Sequence, residues 1–336
     1  MKIANFDTAD KTFIIAEIGN NHEGDFELAK QMVIQAAKAG ADAVKFQTII
    51  PTELVSSDQI DRIAMLEKFR FSYEQFAELA KLAESEDTLF MSTPFDETTV
   101  AALDKFVPAF KVASCDITFL PLLEAIAKTG KPIIMSTGAA GEEEVKKSCD
   151  YIESCWKSFN ITSPGLAILH CVSSYPTPEN EANLKAIATL AKTGHTAGYS
   201  DHTLGIDAAI ISVALGAKVI EKHFTVDKNH SDFRDHQLSA DPEEFKLMVK
   251  KIRSAEALMG TGEIAVANCE SCNRDQIRRS AAARGDIKKG SEIKCEQMRW
   301  VRPGTGFTTD QVDQVLGKKA SRDIKDGELF TGKDLV

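Results

Sequence analysis

The sequence predicts a (β/α)8 TIM-type barrel followed by a small β-rich module, on three observations. Short apolar, β-branched runs alternate eight times with longer segments of helical period over about 250 residues, the size and rhythm of such a barrel. The alternation stops at Gly260 and a polar stretch without period follows. The residues after it carry a weak internal repeat of short apolar positions set off by turn glycines. A doubly wound sheet usually has fewer strands.

The predicted strands, in order, are Thr12 to Ile18, Ala43 to Gln47, Thr88 to Ser92, Phe110 to Ser114, Pro132 to Ser136, Leu166 to Cys171, Thr196 to Ser200 and Lys218 to His223. Between them the helical period is clearest over Phe26 to Ala39, Tyr73 to Glu84, Leu120 to Thr129 and Leu184 to Lys192, and Pro242 to Met259 closes the set. This gives a barrel over 1–260, a linker over 261–275 and a β module over 276–336. In the module, Asp286-Ile287-Lys288 with Gly290 recurs thirty-seven positions later as Asp323-Ile324-Lys325 with Gly327. Each copy precedes apolar positions, Ile293 and Met298 in one and Phe330 and Leu335 in the other, and predicts a hairpin-like arm.

With 43% hydrophobic and 27% charged residues the chain can bury a sizeable core. Forty Lys and Arg against fifty Asp and Glu give a net charge of -10, which argues against a nucleic-acid partner and against charge-driven binding to an anionic membrane. The charge is uneven: residues 1–259 hold 26 basic and 38 acidic side chains, residues 276–336 hold 13 and 9. That is ordinary surface variation, or a basic module facing an acidic barrel or an anionic substrate. The first residues lack the layout of a secretory signal, and the longest uncharged stretch, Ser158 to Pro178, contains three prolines and does not read as a spanning helix. Seven cysteines, an odd number, suit free thiols and a cytoplasmic location.

In a barrel the reactive groups sit where strands end, because the βα loops form the mouth. Every predicted strand delivers a polar group there: Glu17; Lys45 and Gln47; Ser92 and Thr93; Lys111, Ser114 and Asp116; Ser136 and Thr137; His170 to Tyr175 with Ser173; Ser200 to His202; and Glu221 to His223. Two lysines among several hydroxyls suit a bound phosphate or carboxylate, and a phosphorylated carboxylic acid would use both. His202 and His223, on neighbouring strands, could share one divalent cation with open positions for substrate and water. Imidazole alone would favour zinc; if Glu17 and water complete the shell, Mn²⁺ or Mg²⁺ is the expected ion. His170 and His195 read as structural, whereas His22 lies near the mouth. Cys269-Xaa-Xaa-Cys272 lacks a second ligand pair at zinc-finger spacing, and Cys115 and Cys171 read as packing residues.

The ordered set of these segments resembles the sialic acid synthase family over nearly the whole length. Its carriers are Phe13 to Gly24, Ala39 to Gln47, Ser92-Thr93-Pro94-Phe95, Lys111-Val112-Ala113-Ser114, Ser136-Thr137-Gly138, Tyr199 to Thr203 and Val219 to Thr225. The tail, with Arg302 to Phe307 and Gly317-Lys318-Lys319, is similar to that family's antifreeze-like (SAF) domain. The resemblance implies condensation of phosphoenolpyruvate with an N-acyl amino sugar aldehyde of the N-acetylmannosamine type. The products would be a nine-carbon 2-keto acid and phosphate.

It implies that Lys45, Thr93, Lys111, Ser114, Ser136, Ser173 and Ser200 hold phosphoenolpyruvate. His202 and His223 would hold the metal, Mn²⁺ or Mg²⁺, and Gln47, Asp116, Tyr175, Asp235 and Arg302 the sugar, with Glu17 at the reacting centre. It also implies a domain-swapped homodimer in which Arg302 reaches a partner's barrel. Ser173 stands where bacterial members often have Asn, Asp116 where many have Glu, and Asn229 to His236 departs from the usual loop. The sugar, neuraminate-, legionaminate- or pseudaminate-like in its product, is left open. The rival readings are a Schiff-base aldolase using Lys111 or Lys45, and a non-enzymatic carbohydrate-binding protein.

Overall fold

Successive side chains of a strand face opposite sides, so one segment builds two surfaces. The computed structural model describes residues 1–233 and 235–336. It contains eight parallel strands: β1 (Phe13–Gly19), β2 (Ala43–Thr48), β3 (Leu89–Pro94), β4 (Phe110–Val112), β5 (Ile133–Ser136), β6 (Leu166–Cys171), β7 (Thr196–Asp201) and β8 (Val219–His223). Hydrogen-bonded neighbours follow the order β3-β2-β1-β8-β7-β6-β5-β4. β3 and β4 lie side by side without a ladder among the described residues, which makes theirs the seam of a nearly closed barrel.

Helices follow the strands: α1 (Phe26–Lys38), α2 (Tyr73–Ser85), α3 (Glu97–Leu103), α4 (Leu120–Lys128), α5 (Glu142–Ser158), α6 (Ala186–Ala191), α7 (Asp207–Ala214) and α8 (Pro242–Met259). Their starts are chemically marked. Asp25 and Asp241 accept backbone N–H groups of the first turns of α1 and α8, and Ser72 and Gln75 form a reciprocal capping box on α2.

One parity of each strand, with Ile14, Val44, Phe46, Phe110, Met135 and Ile220, packs outward against the helices. The other parity fills the interior with Phe13, Ile15, Ala43, Met91, Ile134, Leu169 and Val219, joined by Ile3 from an N-terminal two-residue ladder. Gly198 shows how full that interior is: a Cβ there would lie 2.4 Å from Leu169 Cδ2 and 2.5 Å from the Val219 carbonyl oxygen. Further along the same parity the residues turn polar, and this change of chemistry along the strands makes the mouth.

Two predicted elements are shorter than expected by more than one terminal residue. β4 ends at Val112 because Ser114–Asp116 curls into a 3-10 turn, with the Asp116 N–H donating to the Ala113 oxygen at 3.0 Å. α6 covers only Ala186–Ala191 of the predicted Leu184 to Lys192, since Leu184 and Lys185 belong to the turn that enters it.

The chain divides into two compact units, Met1–Gly260 and Thr261–Val336. In the second, β9 (Ser280–Ala283) pairs antiparallel with β10 (Met298–Val301), and Ile287, Ile293, Val315, Ile324 and Phe330 form a separate core. The two repeat copies do not fold as independent hairpin arms. They pair with each other: Ile287 and Ile324 exchange both backbone bonds at 2.8 Å. Lys288 Nζ donates to Asp323 at 2.9 Å and Lys325 Nζ to Asp286 at 2.8 Å. Among the described residues no helix is long and apolar enough to cross a membrane.

Outside the barrel, Lys222 Nζ reaches Asp201 Oδ2 at 3.0 Å, both side chains being fully buried, and it also donates to the Thr203 carbonyl. Asp201 and Lys222 are register partners in β7 and β8, so their bond holds together the strands whose opposite parity carries Ser200, His202, Glu221 and His223. Removing one partner strands the other charge. Lys222→Met is expected to cost about 3–5 kcal/mol of folding stability, measured by urea denaturation, and adding Asp201→Leu is expected to recover part of that loss.

Candidate active site

The strand ends enclose a cavity of about 260 Å³ lined by Glu17, Lys45, Gln47, Thr93, Lys111, Ser114, Ser136, Ser173, Tyr175, Ser200, His202, Glu221 and His223, with Phe95, Ala113, Cys115 and Cys171 completing the wall. Two larger clefts of the first unit lack this convergence. One, of about 810 Å³, opens near the strand starts at Asp42 and Leu89; the other, of about 600 Å³, lies between α5 and α6.

At the centre stand two carboxylates and two ammonium groups, with side chains only 3–6 % exposed. Lys45 Nζ lies 2.6 Å from Glu17 Oε2 and 3.6 Å from Glu221 Oε2, and Lys111 Nζ lies 3.8 Å from Glu221 Oε1. Lys45 also donates to Thr93 Oγ1 at 3.0 Å, Lys111 to Ser136 Oγ at 2.7 Å, and Ser200 Oγ to Glu221 at 2.8 Å. Burial opposes every charge here, and the partners decide the outcome. Burial carries the Glu17 carboxyl above its usual range, with Lys45 working against it. For Glu221 burial is overridden by Lys111 and Lys45, which hold it down at about 2. Burial is likewise overridden at Lys45, raised by Glu17 and Glu221, but it prevails at Lys111, which is lowered.

Gly138 lets the β5 and β6 ends meet. A Cβ there would fall 2.2 Å from Ser173 Oγ and 2.9 Å from Ser114 Oγ, and the glycine N–H donates to Ser114 Oγ at 2.9 Å. Only glycine allows the two hydroxyls to face the cavity so closely.

Comparison with known proteins decides the family. The NeuB family profile matches residues 32–264, and the SAF domain profile matches residues 278–336. The chain belongs to the NeuB family. It is 39% identical over 330 residues to the N,N'-diacetyllegionaminic acid synthase of Legionella pneumophila, covering 94% of this chain and 92% of that one. It is also 39% identical over 349 residues to the pseudaminic acid synthase of Campylobacter jejuni, covering 99% of each. Among solved structures, the N-acetylneuraminic acid synthetase of Leptospira borgpetersenii superposes with a TM-score of 0.75 at 34% identity, covering 81% of this chain and 94% of that one. This NeuB-family chain is thus an enzyme of the transferase kind carrying a C-terminal SAF domain, which sets aside the non-enzymatic reading.

In this NeuB-family enzyme the ring centroids of His202 and His223 lie 5.4 Å apart, and Tyr175 packs 4.2 Å from His202. His202 Nδ1 donates to the Val172 oxygen at 2.8 Å, which leaves Nε2 for a ligand. Burial depresses His202, but the Cys171 thiol, 3.7 Å away, outweighs it and the ring is raised; burial with His202 beside it holds His223 well below the usual range. His223 Nδ1 is buried without a hydrogen-bond partner. Two converging imidazoles, one with an orphaned nitrogen, fit a divalent cation. Among the described residues no group of three or more His, Cys, Asp or Glu side chains is arranged to hold a metal. Glu17 pairs instead with Lys45 and with Gln47, whose Nε2 donates to it at 3.0 Å.

Two expected sugar contacts, Asp116 and Asp235, lie outside the cavity wall, and a third, Arg302, belongs to the second unit. Asp116 closes the 3-10 turn after β4, its carboxyl raised by burial. Asp235 opens a four-residue helix (Asp235–Leu238) after β8. Arg302 is exposed in the second unit, just after β10. Cys269 and Cys272 are exposed free thiols. Glu221, named from the sequence only as one of the strand-end polar groups and given no role there, is the carboxylate shared by both lysines. Its signal was parity: it stands two residues before His223 and therefore on the same face.

His22, expected near the mouth, is fully buried against Phe71, with ring centroids 4.2 Å apart, and its Nδ1 accepts from the Gly24 N–H at 3.1 Å. Burial lowers it from 6.5 to about 4. The unfolded chain therefore binds a proton that the folded one refuses, so the contribution of His22 to stability is complete above pH 6.5 and is lost as pH falls towards 4. Denaturant titrations are expected to show a loss of about 3 kcal/mol from this residue across that window, and His22→Asn, which retains an acceptor for Gly24, is expected to flatten the slope.

Proposed function

We propose that the chain is a nonulosonic acid synthase that joins phosphoenolpyruvate to an N-acyl amino sugar aldehyde of the N-acetylmannosamine type, yielding a nine-carbon 2-keto acid and phosphate. The observation that carries this reading is the convergence of Lys45 and Lys111, ringed by hydroxyls, beside the His202–His223 pair in one cavity. Lys45 and Lys111 neutralise the carboxylate and phosphate of phosphoenolpyruvate, while Thr93, Ser114, Ser136, Ser173 and Ser200 donate to their remaining oxygens. Gln47 and Tyr175 meet the sugar from the wall, with Asp116 and Asp235 at the margin.

His202 and His223 would hold the divalent cation, Mn²⁺ or Mg²⁺. When bound, it supplies Lewis-acid polarisation of the sugar aldehyde. C3 of phosphoenolpyruvate forms the new bond to the aldehyde carbon, water adds at C2, and the C2–O bond to phosphate breaks. Glu17, the carboxyl that burial raises, is suited to exchange a proton with that water. The buried quartet offers fixed charges in a site screened from bulk water.

Phosphate release from phosphoenolpyruvate with N-acyl and di-N-acetyl hexoses tests the reading, and plain mannose is expected to turn over slowly or not at all. Chelation is expected to abolish turnover and Mn²⁺ or Mg²⁺ to restore it, while Lys111→Met is expected to lower kcat/KM by about a hundredfold or more. Heavy oxygen placed in the bridging enol position is expected to leave with phosphate; its retention in the keto acid would refute C–O cleavage. One observation favours the rival aldolase, the lowered Lys111 amine, and a borohydride-trapped adduct on Lys111 with metal-independent activity would establish it.

The same reading assigns Arg302 to the sugar's acyl group in a partner's barrel within a domain-swapped homodimer. Arg302→Ala chains mixed with His202→Ala chains are then expected to regain activity through hybrid dimers. Verified hybrids that stay inactive would refute the assignment in trans.

A further inference from the structure

After β8 the chain runs from Phe224 to Ser239 before rejoining the barrel, where the Ala240 N–H donates to the His223 oxygen at 2.8 Å. The stretch 226–234 contains no glycine or proline to set its path, and among the described residues the only helix in the segment is Asp235–Leu238. Besides bonds within itself, it is held by the loop after β1. Asn21, fully buried, donates through Nδ2 to the Phe224 oxygen at 2.8 Å and to Ser239 Oγ at 3.0 Å, gripping both ends of the segment. Ser239 Oγ in turn donates to the Asp235 oxygen at 2.5 Å.

A second grip falls on the next residue. His236, whose side chain is 0 % exposed, donates from Nε2 to Glu23 Oε1 at 3.0 Å, and its Nδ1 meets Thr225 Oγ1 at 2.7 Å. The same Glu23 oxygen accepts from Ser231 Oγ at 2.5 Å. Burial would raise the Glu23 carboxyl, but the bonds from Ser231 and His236 override it and keep the group ionised, so these are charge-assisted bonds. Glu23 has a φ of 47°, a left-handed conformation that a non-glycine residue keeps only where tertiary contacts repay it. Neither Glu23 nor His236 lines the cavity. Asp235, between the two grips, lies within electrostatic reach of the Tyr175 hydroxyl, which does line it.

We propose that Glu23 and His236 form a clasp that positions Asp235 for the sugar, so that two residues outside the cavity set the affinity for the acceptor. The proposal rests on the synthase reading above. Glu23→Ala is expected to raise the KM for the N-acyl amino sugar on the order of tenfold or more, with the KM for phosphoenolpyruvate and the melting temperature little changed. Glu23→Gln, which keeps an acceptor for His236 and Ser231, is expected to restore most of the affinity. Asp235→Ala is expected to raise the sugar KM by a similar factor, and combining it with Glu23→Ala to add nothing, because the clasp acts through that carboxylate.

An unchanged sugar KM in Glu23→Ala, a parallel loss of phosphoenolpyruvate affinity and melting temperature, or additivity in the double variant would each overturn the proposal. Hydrogen exchange of residues 226–238 reads the clasp without turnover: it is expected to accelerate in Glu23→Ala and to stay slow in Glu23→Gln. Unchanged exchange in Glu23→Ala refutes the clasp whatever the substrate. A wild-type chain that turns over no phosphoenolpyruvate and sugar pair refutes the synthase reading instead, and with it the role in sugar binding.

Discussion

Closure of eight parallel strands leaves each strand a single inward parity, and everything else in the first unit follows from how that parity is spent. Near the strand starts it is apolar and packed without spare volume, as the absence of room for a Cβ at Gly198 shows. Near the strand ends it is charged or hydroxylated, and the same close packing now forces unlike charges together. Lys45, Lys111, Glu17 and Glu221 come from four different strands and meet because the barrel gives their side chains nowhere else to go. The outward parity of β7 and β8 carries the complementary device, the buried Asp201–Lys222 bond that holds the register of the two histidine-bearing ends.

A balanced quartet of buried side chains suits both stability and the proposed anion binding. Four buried charges are tolerable because each finds an opposite partner and a hydroxyl or amide as well. Under the proposed function, an incoming anion would find ammonium groups already desolvated and held, so little ordering would remain on binding. The pairing is not symmetric. Glu221 answers two lysines and stays ionised, whereas Glu17 has Lys45 and Gln47 and is the carboxyl that burial raises, which separates a fixed counter-charge from a group that can exchange a proton.

The second unit obeys another rule. Its two Asp-Ile-Lys copies meet across an antiparallel bridge, each lysine on the other copy's aspartate, so a repeat that looks like two arms along the chain is one paired element in space. The isoleucine exchange and the lysine–aspartate bonds each appear twice, as expected when two similar segments pack about a local two-fold. Such reciprocity cannot be seen from either copy alone.

Period and punctuation carried the barrel, since eight apolar runs separated by helical segments admit few other architectures, and the strand ends carried most of the polar wall. Sequence order named Lys45, Lys111, Ser136, Ser200, Glu221, His202 and His223 because each stands at the end of a strand, though it gave Glu221 no role. What it could not supply were distances across the ring: that Lys45 lies nearer Glu17 than Glu221, or that Gly138 makes room for Ser114 and Ser173. Nor could it show that Glu23, more than two hundred residues before His236, grips the loop after β8. Side-chain spacing along a strand is local and periodic, so it is written in the chain; contacts across a closed barrel join residues from distant segments, and only closure brings them together.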